Sequence, residues 1–349
     1  MTDALPDSLP PDVLAWLAQL DTAKHGKWMR RAVESLLRLS QMPLDRLDWK
    51  IIAGAIQDME QGFRVFQPYR HVRKIAIFGS ARLSRDTPDY QLAVQFARCM
   101  CDQGFMVMTG AGGGIMQAGN EGAGTEHSFG LNIQLPFEQN SNEFVSDSPR
   151  LIHFKYFFTR KLFFLRETDG VCAFPGGFGT QDEVFEALTL CQNGRCPPIP
   201  IVLLEHPEGT YWKAWDGFVR EYFWRHHLIS PDDVELYTIT VSVAVACETI
   251  RRFYRVYHSS RYVRDELVLR LHHPLPELVV AQLNEEFADI VTEGVMYQRG
   301  AFPEEIGDET DHLPRLVFRF NQRDYGRLYQ LIRRLNELGG EPTAHPEWR

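Results

Sequence analysis

Apolar positions recur at helical spacing up to about residue 64, and then the period changes. PDVLAWLAQLD, starting at Pro11, and DRLDWKIIAGAIQDMEQGF, starting at Asp45 beyond the break at Pro43, each line apolar residues along one helical face. These segments predict a helical N-terminal region over residues 1–70. From Lys74 onward short apolar runs rich in strand-forming residues alternate with longer helical stretches. The runs are KIAIFGS (74–80), FMVMTGA (105–111), FGLNIQLP (129–136), VCAFPGG (171–177) and PIPIVLLE (198–205). Their apolar character is nearly continuous, which suits strands covered on both faces, and the alternation predicts an α/β domain with a doubly wound parallel sheet. Helices around 212–226 and 240–257 would complete this domain, over residues 71–260.

The pattern changes again after Ser260. LVLRL (267–271), a helix from Pro276 to about Val291, VMYQRGAF (295–302), RLVFRF (315–320) and a helix through DYGRLYQLIRRLNEL follow in the order βαββα. That is five-sixths of a ferredoxin-like unit, so residues 261–349 are expected to form a small α+β (ferredoxin-like) module. Such a module serves packing, a small regulatory ligand or a second subunit, and nothing in it reads as catalytic.

At 349 residues the chain has room for two or three folding units, and 44% apolar with 24% charged residues is ordinary for a globular protein. No apolar run reaches the ~20 residues that span a bilayer, and the start lacks the basic and apolar parts of a signal peptide. The expectation is a cytoplasmic protein without membrane contact. Six cysteines without CxxC spacing are expected to be reduced packing residues, with no metal. The net charge of −9 argues against holding a nucleic acid polymer by bulk attraction, so any phosphate needs a specific pocket.

Three predicted strands end in small, polar loops that open a helix: IFGSAR, MTGAGGGIMQAG and FPGGFGTQDE. The carboxyl ends of strands in an open parallel sheet form the crevice where ligands sit. One glycine loop can be purely structural; three on one edge point to a phosphate or nucleotide site. Gly176, Gly177 and Gly179 let backbone N–H groups face an anion, and the helix opening near Thr180 adds its unpaired amides and dipole. Thr180 supplies a hydroxyl to a phosphate or caps its own helix. Glu183 lies one turn in and points back over the loop, whereas Asp182 is rotated about 100° away, so Glu183 is expected to face the crevice. Upstream, Arg160 and Lys161 interrupt the apolar surface of FKYFFTRKLFFLRETD, and a guanidinium in such a setting pairs with a carboxylate or a phosphate.

These residues carry a family resemblance. Residues Ile75 to about Leu204 resemble the LOG family, often labelled lysine-decarboxylase-like, whose mark is PGGxGTxxE preceded by an Arg-Lys pair. Pro175, Gly176, Gly177, Gly179, Thr180 and Glu183 fill the motif, and Arg160 with Lys161 fill the pair. GSAR (79–82), the glycine loop at 110–116 and GLNIQLPFEQ (130–139) look like further family segments. The chain departs from long family members at Gly112, Gly113 and Gly114, where they have GGPG, and at Glu121, where they have a basic residue.

The resemblance implies a Rossmann-like fold, a homo-oligomer and hydrolysis of nucleoside 5′-monophosphates to free base and ribose 5-phosphate without a cofactor; cytokinin riboside monophosphates and AMP are family substrates. It assigns Arg160 and Glu183 as catalytic. Gly79, Ser80, Gly112, Gly113, Gly114, Lys161, Gly176, Gly177, Gly179 and Thr180 are assigned to substrate binding. The main rival reading is a nucleotide sensor without catalysis. An NAD-type oxidoreductase would carry its glycine fingerprint in the first strand–helix turn, where this chain has GSAR. Lysine decarboxylation would need a pyridoxal phosphate lysine, and no local context singles one out.

Overall fold

The computed structural model describes residues 15–16, 19–20, 22–134 and 141–340. Most of the helix expected over PDVLAWLAQLD, and the end of GLNIQLPFEQ, lie outside the described residues. The chain forms two compact units, Met1–Gln57 and Asp58–Arg349. In the first, helix Gly26–Ser40 follows His25, whose φ is 64°. Gly26 has to be glycine, because a Cβ there would meet the Leu20 carbonyl oxygen at 1.5 Å. Helix Arg46–Phe66 starts at a reciprocal cap: the Asp45 carboxylate accepts from the Leu47 and Asp48 N–H groups at 2.6 and 2.9 Å, and Asp48 accepts from Asp45 N–H at 3.1 Å.

The last turns of this helix belong to the second unit, which begins before the boundary expected at residue 70. Gly62 approaches the Phe163 ring so closely that a Cβ would lie 2.3 Å from it, and Phe66 stacks on Phe129 with ring centroids 4.7 Å apart.

Seven parallel strands make the main sheet: β1 (Lys74–Phe78), β2 (Met106–Thr109), β3 (Ser128–Ile133), β4 (Leu151–Phe154), β5 (Val171–Ala173), β6 (Ile201–Leu204) and β7 (Tyr237–Thr240). Their order is β4-β3-β2-β1-β5-β6-β7, so the chain reverses its direction of travel across the sheet between β1 and β5. All five predicted strands are present, and β1, β2, β3, β5 and β6 are buried throughout. The two strands not expected, β4 and β7, are the edges. LIHF alternates buried and open positions and YTIT is mostly half-buried, so neither carries the continuous apolar signal of an interior strand. No described helix is long and apolar enough to cross a membrane.

The second sheet is antiparallel, ordered β10-β11-β9-β8, from β8 (Tyr257–Val263), β9 (Glu266–Leu271), β10 (Tyr297–Arg299) and β11 (Arg315–Phe318). β9, helix Glu277–Glu286 and β10 form a split βαβ, with β11 inserted between the two parallel strands. The sixth element missing from the sequence pattern is β8, supplied from the N-terminal side as a hairpin with β9. The sequence pattern assigns no element to 258–263; the helix expected over about 240–257 ends at Phe253, and the expected boundary at 260/261 runs through this strand. One apolar core continues through both sheets. Helix Tyr325–Leu338 joins them through Tyr329, whose hydroxyl donates to the Ile199 carbonyl at 2.9 Å and accepts from Ile199 N–H at 3.1 Å.

Candidate functional site

At the reversal point between β1 and β5, a cleft of about 880 Å³ opens at the carboxyl ends of the strands. This is where an open α/β sheet separates adjacent loops and leaves room for a ligand. Three glycine loops interlock behind it. Ser80 N–H donates to the Pro175 carbonyl at 3.1 Å and Ile115 N–H to the Ser80 carbonyl at 2.9 Å. Gly114 has φ 60° and would place a Cβ 2.2 Å from the Ser80 oxygen, so only glycine serves there. A Cβ on Gly176 would fall 2.1 Å from Thr180 Oγ1. Gly177 and Gly179 differ: a Cβ on either would meet no neighbour within 4 Å among the described residues, and these do not require glycine there.

Gly79, Ser80, Gly176, Gly177, Gly179 and Thr180 line the cleft together with Arg160 and Glu183. Gly112, Gly113 and Gly114 do not; from that loop only Gly110, with Met116 of the following helix, reaches the cleft surface. The loop is held from the side. Asn142 Nδ2 donates to the Gly112 carbonyl at 3.0 Å and to Asn120 Oδ1 at 2.9 Å, and Thr109 Oγ1 donates to the same Asn120 oxygen at 2.7 Å. Glu121 accepts from the Tyr90 hydroxyl at 2.6 Å and faces Arg85 at 3.7 Å, also outside the cleft lining.

Arg160 sits in the first turn of helix Phe157–Glu167, which lacks a cap of its own. Asp58, from helix Arg46–Phe66 and 5% exposed, supplies one: its carboxylate accepts from Lys155 N–H at 3.0 Å, Tyr156 N–H at 3.1 Å and Thr159 Oγ1 at 2.5 Å. Arg160 Nη2 then lies 3.7 Å from Glu183 Oε1, and Lys161 Nζ lies 3.3 Å from Glu183 Oε2. Lys161 also reaches Asp182 at 3.0 Å and Glu186 at 2.7 Å, and it does not line this cleft. Both acids of the QDE segment reach the cleft, contrary to the expectation that only one would, but Asp182 is 61% exposed and Glu183 9%.

Burial raises the pKa of the Glu183 carboxyl above its ordinary value, with Lys161 and Arg160 pulling it back down. Burial likewise lowers that of Arg160, opposed by Glu183 and Asp182. A guanidinium remains charged through such shifts, so the pair presents a fixed cation beside a carboxylate whose charge is costly to hold. Arg160 Nε is buried without a hydrogen-bond partner among the described residues, leaving one donor unspent.

Sequence reasoning missed Tyr211 and Gln181. The Tyr211 hydroxyl donates to the Gly176 carbonyl at 2.5 Å and accepts from Gln181 Nε2 at 2.6 Å, which fixes the glycine loop. Tyr211 is placed by Glu205, whose carboxylate accepts from the Tyr211 and Trp212 N–H groups at 2.8 and 3.1 Å. The available signal was the acid that ends the otherwise apolar run PIPIVLLE. Arg82, Phe157 and Phe178 complete the rim. Among the described residues no three His, Cys, Asp or Glu side chains gather to hold a metal.

Comparison with known proteins gives distant likenesses. The chain is 21% identical to TM1055, known from an X-ray structure, over 52% of this chain and 99% of that one, with a TM-score of 0.36. A molybdenum cofactor binding protein from Rippkaea orientalis is 22% identical over 52% of this chain and 96% of its own, with a TM-score of 0.37. DNA processing protein A from Helicobacter pylori is 13% identical over 52% and 80%, also with a TM-score of 0.37. No curated protein matches the chain. A family model described as "Possible lysine decarboxylase" matches residues 108–250, a span that holds β3 to β7, Arg160 and the whole PGGFGTQDE loop. Residues 108–250 therefore belong to the lysine-decarboxylase-like, or LOG, family, as the larger part of the seven-stranded unit that starts at β1.

Proposed function

We propose that the cleft hydrolyses the N-glycosidic bond of nucleoside 5′-monophosphates. The observation that carries this reading is the bare floor at Gly177 and Gly179, where the fold tolerates a side chain and glycine stands instead, beside a buried carboxylate and guanidinium. A bare backbone at the opening of helix Phe178–Gln192 suits an anion that must approach N–H groups closely. Arg82, exposed at the rim and with no ion pair among the described residues, adds a cation for the same phosphate.

In the reaction the C1′–N bond breaks, water adds its oxygen to C1′, and a proton passes to the departing base. Positive charge grows on the ribose and negative charge on the base. Glu183 as carboxylate stabilises the first or takes the proton from water, and Arg160 stabilises the second. Phosphate held by the 176–180 loop fixes the ribose, so remote binding energy serves the bond-breaking step. Free base and ribose 5-phosphate should appear from at least one monophosphate in chromatographic assays of a nucleotide panel, with the matching nucleoside turned over much more slowly. Equal rates for nucleoside and monophosphate would remove the phosphate anchor from the mechanism.

Decarboxylation of lysine does not fit. Pyridoxal phosphate is held through a lysine amine, yet no lysine lines this cleft, and neighbouring Lys161 is engaged by three carboxylates.

The reading also sets a pH dependence. Glu183 must be ionised, and its pKa is raised from 4.5, so the acid limb of turnover should lie above pH 4.5. Replacing Lys161 by Met removes a cation that favours the ionised form, so the limb should move further up. A limb that stays in place in this variant would separate Lys161 from the site.

Phe157, Phe158, Leu162 and Phe178 are exposed, the last at 95%, giving an apolar surface that supports a homo-oligomer. Light scattering should give a mass above the 40.3 kDa of one chain.

A further inference from the structure

A second cleft, of about 820 Å³, lies on the other side of the helices that carry Arg160 and Glu183. Its size is that of a small-molecule site. We propose that it binds a phosphorylated small molecule and that Lys161 links its occupancy to Glu183. The binding part stands by itself; the link rests on the hydrolase reading given above.

Charge is the first argument. Five cations line this cleft, Arg70, Arg73, Lys161, Arg166 and Arg195, against three carboxylates. Each carboxylate is already matched within the wall: Asp169 by Arg73 at 2.9 Å, Glu186 by Lys161 at 2.7 Å and Glu167 by Arg166. Arg70 and Arg195 are left exposed, with no ion pair among the described residues. Arg70 also stands close enough to Arg166 for their like charges to repel, after burial has already disfavoured the Arg166 charge. In a chain of net charge −9, a cleft with surplus positive charge runs against the general balance. An anion with more than one negative charge would relieve the repulsion and use both free guanidinium groups.

The second argument is a buried polar group. Tyr257, 1% exposed, contributes to the same cleft, and its buried hydroxyl, beside the Ser260 side chain, has no well-aligned hydrogen-bond partner among the described residues. A buried hydroxyl left unpaired costs stability, and a ligand oxygen that reached it would offset that cost. Between the cations, Phe158, Leu162 and Leu165 add apolar surface to the lining. The arrangement therefore suits an organic phosphate with an apolar part, and the four arginines reach it from three segments of the chain, around 70–73, 166 and 195.

The link runs through one side chain. Lys161 lines this cleft, while its Nζ stands 3.3 Å from Glu183 Oε2 in the wall of the other. An anion that draws Lys161 toward itself weakens the interaction that favours ionised Glu183, so the acid limb of turnover moves to higher pH. By thermodynamic reciprocity, ligands in the two clefts then affect each other's affinity.

The test titrates inorganic pyrophosphate into the full-length protein by calorimetry. Wild type, the double variant Arg70→Glu/Arg195→Glu, and Arg82→Glu at the rim of the first cleft are compared, with melting curves to establish that each is folded. The double variant should bind pyrophosphate at least tenfold more weakly, while Arg82→Glu retains that binding event. Undiminished binding in a folded double variant overturns the site, as does loss of all pyrophosphate binding in folded Arg82→Glu. Pyrophosphate should also raise the acid limb of turnover in wild type and leave it in place in the double variant. A limb indifferent to pyrophosphate in wild type overturns the link. If no nucleotide is hydrolysed at all, the hydrolase reading and the link fall together, and the affinities still decide the site.

Discussion

Glu183→Gln should lower turnover at saturating nucleotide by roughly 10²-fold or more, about 2.7 kcal/mol of lost transition-state stabilisation, with nucleotide binding largely kept. The amide preserves the shape of a side chain packed at 9% exposure and removes the charge that the oxocarbenium-like ribose requires. Arg160→Ala should also cripple turnover. It removes a guanidinium that stands over the Phe157 and Phe164 rings, 4.9 and 5.9 Å from their centroids, so packing is lost along with the charge and its melting curve has to accompany the rate. With the two groups 3.7 Å apart and acting at one transition state, the double variant should lose far less than the product of the single losses. A well-folded Glu183→Gln protein with wild-type turnover would sink the mechanism. Bound nucleotide recovered intact from wild type after long incubation would favour a sensor in its place.

Asp58→Ala should be strongly destabilising. The carboxylate is buried and accepts from Lys155 N–H, Tyr156 N–H and Thr159 Oγ1, so its loss orphans donors at the start of the helix that carries Arg160. Hydrogen bonds to charged groups contribute ~1.5–3 kcal/mol each, and a cost of about 3–5 kcal/mol is expected in denaturant unfolding. Turnover of the folded fraction should fall too, because the first turn of that helix sets the Arg160 backbone. Asp58→Asn keeps one acceptor oxygen and should recover part of both effects. A melting temperature within a degree or two of wild type in Asp58→Ala would mean that other groups satisfy these donors.

Local pattern carried much of the architecture. KIAIFGS, FMVMTGA, FGLNIQLP, VCAFPGG and PIPIVLLE are apolar almost without interruption because helices cover both faces of the sheet, and that continuity can be read without coordinates. The PGGFGTQDE loop and the Arg160-Lys161 pair were likewise legible, since an anion site at a strand–helix junction needs small residues followed by polar ones at fixed spacing. Edge strands β4 and β7 escaped for the converse reason: one side of each is open, so their apolar signal is diluted. β8 escaped because a strand that completes a sheet from the other end of a module has no partner nearby in sequence except β9.

The amino-acid sequence by itself determined the parallel α/β domain, the glycine loops and the identity of the carboxylate and guanidinium that meet there, because periodicity and spacing are properties of neighbours along the chain. Only the tertiary structure decided which glycines line the cleft and which hold loops together. Gly112 to Gly114 and Gly177 look alike in sequence, yet a side chain at Gly114 would strike the Ser80 carbonyl and a Cβ at Gly177 would meet none of the described residues. The tertiary structure also decided that Asp58 caps the Arg160 helix, that Tyr211 fixes Gly176, and that Arg70 and Arg195 share one wall with Lys161. Each of these depends on distance between segments remote in sequence, which packing sets and local pattern does not encode.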